Sequence, residues 1–277
     1  MLNTHSKATP MTAKIINKNS SSQANFSGPE ITVRGLTKRF GNELLYNQFD
    51  LDILGGAITC IFGPNGCGKS TLLNAIAGLA PFDSGQVLFG QKTLKETRIG
   101  YVFQNYRDAL FPWLRAIDNI KYPLKVAGFS KLQQKLRVEE LIALFKTKID
   151  LKRYPYELSG GQQQLISIMR ALATRPEVLF LDEPFSALDY EATLSIRDKL
   201  QEVFKLSCFT TVMISHDLEE TVYMADKILM LTKRPTRVTE IIEFCAERPR
   251  TAATLSDEQF INIKSRCLDV FKREAYR

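Results

Sequence analysis

The chain has 277 residues, 44% of them hydrophobic, and carries a net charge of +7 that arises from Lys and Arg spread along its length. The spread of these charges favours general solvation over a nucleic-acid or anionic-membrane surface. The length suits one large domain or one domain with an added lobe. The sequence has no run of about 18 apolar residues, so it predicts no membrane span. Two histidines exclude a histidine-rich metal site, and five cysteines without a CxxC pair indicate reduced thiols rather than disulfides or zinc ligands.

The first part of the chain changes from a polar tail to strands. Residues 1–30 are polar and nearly free of aromatic residues, which predicts a disordered tail, and they lack the features of a secretory signal. A strand is expected at residues 31–33, and the alternation at 51–53 indicates a half-buried strand. The remaining expected elements are a short apolar strand at 57–62, a helix at 69–77 capped by Gly78, and strands at 86–89 and 98–103.

Between residues 105 and 157 the pattern becomes helical. Apolar residues recur at helical spacing with Lys and Glu between them, which predicts a helical lobe inserted between strands. These positions are Leu132, Leu136, Leu141, Ile142 and Phe145.

The second half returns to strands and ends in a helix. Continuous apolar runs at 178–181 and 210–215 are typical of central parallel strands, and strands that alternate with helices imply an α/β sheet. Ser256 and Gln259 have the spacing of a capping box. The apolar face expected for the final helix is Phe260, Ile263, Cys267, Leu268 and Phe271.

A glycine-rich loop joins the apolar strand at 57–62 to the first helix. It reads Gly63-Pro64-Asn65-Gly66-Cys67-Gly68-Lys69-Ser70. The pattern GxxxxGK[ST] between a strand and a helix predicts a phosphate-binding loop, whose backbone N–H groups and helix N-terminus attract phosphate oxygens. Lys69 is expected to reach the β- and γ-phosphates, Ser70 to place its hydroxyl on Mg²⁺, and Thr71 to lie near the α-phosphate. The predicted ligands are therefore ATP and Mg²⁺.

Cys67 lies inside this loop at the start of a helix. Thiol pKa values usually fall at helix N-termini. We therefore expect Cys67 to be reactive, its alkylation to inactivate the protein, and ATP to protect it.

Two carboxylates directly follow the strand at 178–181. Asp182 is expected to hold Mg²⁺ through water, and Glu183 to act as general base on the attacking water. Carboxylate pairs also cap strand ends without a catalytic role, but the phosphate loop in the same chain favours the catalytic interpretation.

These motifs stand in the order found in ATP-binding cassette (ABC) ATPases, and the chain resembles that family over residues 31–245. The matching segments are Gly63 to Thr71, Gln104, Leu158-Ser159-Gly160-Gly161-Gln162, Leu179 to Pro184, Ser186-Ala187-Leu188-Asp189 and His216. The resemblance implies an α/β phosphate-loop cassette with a mixed-sheet core, an antiparallel β edge and a helical lobe at about 105–172. A C-terminal helical extension is expected over 246–277.

The resemblance also implies roles for single residues around one ATP. Phe40 would stack on adenine, unless it is an ordinary buried phenylalanine. Gln104 would contact Mg²⁺ and water and sense a membrane partner, unless it is a solvated loop residue. His216 would contact the γ-phosphate and orient Glu183 and water, although histidines after strands usually form structural hydrogen bonds.

A head-to-tail homodimer is the second implication of the resemblance. Each ATP would lie between the phosphate loop of one chain and the 158–162 turn of the other. Ser159 and Gly161 would meet the γ-phosphate of the opposite site, with Gly160 and Gln162 in the same ATP-binding turn, and Asp189 would communicate across the dimer.

Within the family, several segments resemble those of the nitrate, sulfonate and taurine importers. The similar segments are 109–114, 118–120, 233–235, 247–250 and the final helix. This implies an ATPase subunit at the cytoplasmic face of the inner membrane that drives uptake of a small, often anionic solute. Its partners would be permease subunits and, indirectly, a solute-binding protein. The alternatives are an exporter or lipoprotein-release ATPase and a soluble ABC ATPase.

Pro112 and Trp113 stand in a loop before a predicted helix. Because loop aromatics often mark partner surfaces, we expect Trp113 to line a groove that receives a cytoplasmic helix of the permease. The alternative is that Trp113 packs beneath its own helical lobe.

Overall fold

The computed structural model describes residues 28–186 and 188–276, without the side chain of Asp108. The predicted disordered tail over residues 1–30 therefore lies almost entirely outside the described residues. Of its last residues, Pro29 accepts a hydrogen bond at its carbonyl from the Thr210 hydroxyl at 2.6 Å.

Strands and helices alternate through most of the described chain. The strands are β1 (Ile31–Phe40), β2 (Glu43–Ile53), β3 (Ile58–Phe62), β4 (Ser84–Phe89), β5 (Ile99–Val102), β6 (Val178–Asp182), β7 (Thr210–Ile214), β8 (Lys227–Leu231) and β9 (Val238–Glu243). The helices are α1 (Lys69–Ile76), α2 (Tyr106–Ala109), α3 (Ala116–Val126), α4 (Lys131–Phe145), α5 (Gly160–Leu172), α6 (Tyr190–Leu206), α7 (Leu218–Met224) and α8 (Glu258–Ala275).

The strands form two sheets. The larger sheet has the order β5-β6-β7-β3-β8-β9, and only the edge strand β9 runs antiparallel to its neighbour. The smaller sheet, β2-β1-β4, is antiparallel. This is the mixed core with an antiparallel β edge that the sequence predicts. Since the parallel strands end at the same edge of the sheet, the loops after β3, β5, β6 and β7 lie near one another.

The hairpin of β1 and β2 is longer than the sequence suggests. The two strands are joined at Gly41 and Asn42, and Gly41 has φ +58°, a value that favours glycine. The sequence predicts only residues 31–33 and 51–53 as strand, because the central residues of the hairpin are mostly exposed or polar and lack an apolar alternation. The prediction was therefore too short at both strands.

Helices α2 to α5 lie between β5 and β6, where the sequence predicts a helical lobe. In α4 the buried face consists of Val138, Leu141 and Phe145, whereas Leu132 and Leu136 are exposed. Helical spacing therefore predicted the helix, whereas the buried side chains belong only to its second half.

The final helix begins one residue later than its predicted capping box implies. Asp257, not Ser256, caps α8, and its carboxylate accepts a hydrogen bond from the Gln259 N–H at 2.8 Å. Phe260 and Cys267 are buried as predicted, but Leu268 is exposed. In the described part of the chain, no helix combines the length and the apolar character needed to cross a bilayer.

Candidate active site

The phosphate loop connects β3 to α1 in a tight bend. Gly66 and Gly68 have φ +76° and +100°, and a Cβ at Gly68 would lie 2.8 Å from the Tyr46 hydroxyl. Lys69 is buried, and its Nζ donates to the carbonyl of Gly63 at 2.9 Å. A second hydrogen bond from Nζ reaches the Pro64 carbonyl at 3.2 Å. The ammonium group is thus held over the loop, at the N-terminus of α1.

Asp182 lies beside the start of α1. The Ser70 hydroxyl donates to Asp182 Oδ1 at 3.1 Å, across 112 positions of sequence. Burial raises the pKa of Asp182, the nearby Glu183 carboxylate raises it further, and the hydrogen bond from Ser70 opposes both. A buried carboxylate next to a hydroxyl is a favourable place for a cation.

Tyr101 supports this carboxylate and is absent from the sequence predictions. Its hydroxyl donates to Asn74 Oδ1 at 2.7 Å and lies 3.4 Å from Asp182 Oδ2. No motif marks Tyr101 or Asn74, so only the packing of β5 against α1 and β6 shows their role.

Glu183 contacts side chains that follow two other strands. Its Oε2 accepts a hydrogen bond from Gln104 Nε2 at 2.9 Å and lies 3.0 Å from His216 Nδ1. Glu183 itself has φ +45°, in the left-handed region that non-glycine residues rarely occupy. Such strained backbone persists where surrounding structure enforces it, and it clusters at functional sites.

The oxygen donors at this point fit a Mg²⁺ ion. The described residues include no group of three or more His, Cys, Asp or Glu that could form a complete metal site. Mg²⁺ usually takes one or two protein oxygens and completes its shell with water and substrate phosphates. Asp182 and Ser70 supply such a pair, whereas the Gln104 amide nitrogen faces Glu183.

Phe40 ends β1, and about half of its side chain is exposed. Lys38 Nζ lies 5.2 Å from the centre of the ring. The alternative of an ordinary buried phenylalanine is therefore wrong, and stacking on adenine stays a prediction.

The residues of the 158–162 turn lie apart from this cluster. Ser159 caps α5 in a capping box with Gln162. The Ser159 N–H donates to Gln162 Oε1 at 3.1 Å, and the Gln162 N–H donates to the Ser159 hydroxyl at 3.3 Å. Ser159, Gly161, Gln162 and Asp189 line one cavity of about 450 Å³, and neither the phosphate loop nor Glu183 belongs to its lining. In the described part of the chain, the two glycine-rich segments therefore do not line this cavity together.

Both glycines of this turn are required by close packing. A Cβ at Gly160 would lie 2.5 Å from the Tyr106 hydroxyl, and a Cβ at Gly161 would lie 2.7 Å from the Ala192 side chain. Asp189 caps α6 by accepting a hydrogen bond from the Ala192 N–H at 2.8 Å. The N-terminus of α5 is thus fixed against α2 and α6.

Trp113 is 71% exposed, so the alternative that it packs beneath its own lobe is wrong. Its ring lies 5.5 Å from that of Phe111. Phe111 borders a largely apolar groove of about 750 Å³ that reaches Gln104 and Asp182 at its other end. The rest of the groove is lined by Asn74, Leu79, Tyr101, Phe103, Asn105, Ala109 and Arg170.

The expectation of a low pKa for Cys67 was wrong. Only 1% of the residue is exposed, and burial raises the pKa of its thiol, with the Lys69 charge opposing this only in part. The effect of burial on the pKa of this thiol therefore outweighs the effect of the helix N-terminus.

We predict slow alkylation of Cys67. With iodoacetamide, the exposed Cys208 and Cys245 should be modified first and Cys67 at least about tenfold more slowly, because thiolate character and exposure set the rate. Peptide mapping by mass spectrometry over time would measure this. Modification of Cys67 as fast as Cys208 would contradict the prediction.

The sequence model of the family described as ABC transporter matches residues 46–186. The chain belongs to the ABC transporter family. A relative from Brucella abortus that carries the name ATP-binding protein is 35% identical over 240 residues, which cover 86% of this ABC chain and 92% of the relative. The sulfate/thiosulfate import ATP-binding protein CysA of Neisseria meningitidis is 38% identical, over 80% of this chain and 64% of the relative.

Solved structures agree with this family membership. The ATP-binding cassette MJ0796, in a dimeric post-hydrolysis state with ADP and Pi, superposes with a TM-score of 0.67 at 28% identity and covers 78% of this ABC chain and 100% of its own. CbiO1 of Clostridium perfringens gives a TM-score of 0.69 at 25% identity, and the match covers 77% of this ABC chain and 88% of CbiO1. The α/β cassette fold predicted from the sequence is confirmed, and the chain is an ABC ATPase.

Proposed function

We propose that this ABC ATPase is the ATP-hydrolysing subunit of an importer that takes up a small anionic solute through a membrane permease. The observation that carries the proposal is Glu183, held by Gln104 and His216 beside the phosphate loop. The importer assignment is supported by the import relative and by the Pro112-Trp113 segment. A nitrate-, sulfonate- or taurine-like solute is the finer form of the proposal, and a solute-binding protein is its indirect partner.

The proposed hydrolysis uses groups that the fold already aligns. The phosphate loop and Lys69 bind the phosphates, and Glu183 accepts a proton from the attacking water. Gln104 and His216 keep the Glu183 carboxylate in place. Mg²⁺, bound with Ser70 and Asp182, would neutralise charge on the β- and γ-phosphates.

A homodimer would complete each site. In one chain the 158–162 turn and the phosphate loop line no common cavity among the described residues, and the helix N-terminus at this turn would meet the γ-phosphate of another copy. The dimeric MJ0796 cassettes support a comparable arrangement. Ser159, Gly161 and Asp189 would then face the ATP of the second chain. A peripheral position on the cytoplasmic face of the cell membrane follows from the permease contact.

The groove that Phe111 borders, together with the exposed Trp113 beside it, is the proposed permease contact, although Trp113 does not itself line the groove. We predict that Trp113→Ala reduces permease-stimulated ATPase activity and transport at least about tenfold, because a large exposed aromatic is the kind of residue that dominates an interface. ATP affinity and basal turnover should stay within twofold. Tyr276→Ala, at another strongly exposed aromatic, is the control. Normal transport by the Trp113 variant would contradict the proposed contact.

The test of the whole proposal compares ATP turnover by the purified chain with turnover by the chain co-purified with its permease. Stimulation by the permease, accompanied by solute uptake into vesicles, is the expected result. Solute movement out of the interior would indicate an exporter. Robust turnover that no membrane partner changes would indicate a soluble ABC ATPase and contradict the proposal.

A further inference from the structure

The outer side of the phosphate loop is held by three side chains from elsewhere in the chain. Each donates a hydrogen bond to one of three successive backbone carbonyls. The pairs are Arg234 Nε with Gly66 at 2.7 Å, the Thr236 hydroxyl with Cys67 at 2.6 Å, and the Tyr46 hydroxyl with Gly68 at 2.8 Å.

Two of these donors come from the turn between β8 and β9, residues 232–237, which we call the clamp turn. Hydrogen bonds between Thr232 and Arg237, both at 3.0 Å, close the turn. Thr236 is buried, and its N–H donates to the Leu45 carbonyl at 2.8 Å, next to Tyr46 in β2. The clamp turn and β2 therefore form one continuous support behind the loop.

The charge of Arg234 is also fixed. Its Nη1 forms an ion pair with Glu43 at 2.6 Å while Nε donates to the Gly66 carbonyl. A guanidinium held at two points loses little further freedom, and charged donors make stronger hydrogen bonds than neutral ones. Arg234 is thus the only charged donor among the three contacts on the loop.

The geometry of the peptide bond links these outer contacts to phosphate binding. In a planar trans peptide, the C=O of one residue and the N–H of the next point in opposite directions. Holding the carbonyls of residues 66–68 outward therefore turns the N–H groups that follow them toward the inside of the loop. There the Cys67 N–H donates to the Pro64 carbonyl at 3.3 Å, which leaves the N–H groups of Gly68 and Lys69 to meet phosphate, and the Gly68 carbonyl also accepts the Leu72 N–H of α1 at 2.9 Å. Inward N–H groups are what bind phosphate oxygens in such loops.

We propose that Arg234, Thr236 and Tyr46 are positioning residues for ATP, which hold the phosphate loop in the shape that its N–H groups need for binding. They act through the loop backbone. The inference rests on the nucleotide site proposed above. The Lys233-Arg234-Pro235 segment, which the sequence marks only as a feature of one family branch, thereby acquires a specific function in the ATPase.

The test uses substitutions that remove one donor each. Thr236→Val and Tyr46→Phe delete a hydroxyl with little change in volume, and each should raise the Kd for ATP about fivefold, the effect of one neutral hydrogen bond. Arg234→Gln removes a charged donor and should raise it about tenfold. Turnover at saturating ATP should remain within twofold, so that the change appears in KM rather than in kcat.

Two controls separate positioning from general damage. Thr236→Ser restores the hydroxyl and should recover most of the ATP affinity. Arg237→Gln changes an exposed arginine of the same turn, and no hydrogen bond among the described residues joins its side chain to the loop. It should bind ATP like the wild type. Thermal unfolding without nucleotide checks that all variants are folded.

Lys69→Met distinguishes the two proposals. If Lys69→Met binds ATP normally, the nucleotide site is misplaced and the proposed function fails with it. If Lys69→Met loses binding but Thr236→Val, Tyr46→Phe and Arg234→Gln bind ATP like the wild type, the proposed nucleotide site is supported. The positioning role of these three residues is then contradicted. A fall in kcat at unchanged KM would overturn it as well.

Discussion

Glu183→Gln is expected to reduce ATP turnover about a thousandfold while leaving ATP binding intact. The substitution keeps the size of the side chain and removes the carboxylate that would accept a proton from water, a step that typically contributes 10²- to about 10⁴-fold. Because ATP still binds but is not hydrolysed, the chain should accumulate as a dimer. Phosphate release and size-exclusion chromatography with Mg²⁺ and ATP would measure both effects.

The matched control is Glu202→Gln, an exposed carboxylate of α6. It should retain wild-type turnover and remain monomeric or dimeric to the same degree as the wild type. If Glu183→Gln keeps more than about a tenth of the wild-type turnover, another group accepts the proton. His216, which lies 3.0 Å from the same carboxylate, is then the first residue to test.

Lys69→Met is expected to weaken ATP binding about a hundredfold, because a charged donor to a phosphate contributes about 1.5–3 kcal/mol. Lys69 is buried, and its two hydrogen bonds to loop carbonyls keep the ammonium group beside the helix N-terminus before ATP arrives. Met has a similar length and no charge. Isothermal titration with ATP and Mg²⁺ would measure the change in Kd.

Lys95→Met, at an exposed lysine outside the loop, provides the comparison. Its ATP affinity should equal that of the wild type. That result would exclude the change in net charge as the cause of weaker binding in Lys69→Met. Unchanged affinity in Lys69→Met would mean that ATP phosphates bind elsewhere. The thermal midpoint should change little in the absence of ATP, since the hydrogen bonds of Lys69 within the described residues go to two loop carbonyls.

The sequence predicted which side chains gather at the candidate site because they belong to short local patterns. A loop of fixed spacing between a strand and a helix can be read directly, and so can Asp182-Glu183 after a continuous apolar strand. The structure brings Ser70 to Asp182, and Gln104 and His216 to Glu183, as such motifs lead one to expect. The roles of these residues in hydrolysis stay predictions that the variants above test.

Where the sequence misled, a distant element had changed the local environment. Cys67 has the position of a low-pKa thiol, but the neighbouring strands bury it and raise its pKa. Leu132 and Leu136 share the helical spacing of the buried residues of α4, yet they are exposed among the described residues. Burial depends on what packs against a segment, and periodicity alone does not contain that information.

The ABC family, the glycine-rich loop, the strand-end carboxylates and the alternation of an α/β sheet can all be recognised in the sequence, since each depends on residues close together in the chain. The groups that hold these motifs in place become visible only in the folded chain. Tyr46, Tyr101, Arg234 and Thr236 contact the loop or Asp182 from strands and turns far along the chain. Hydrogen bonds form between groups that folding brings within about 3 Å, and no local spacing of residues encodes such contacts.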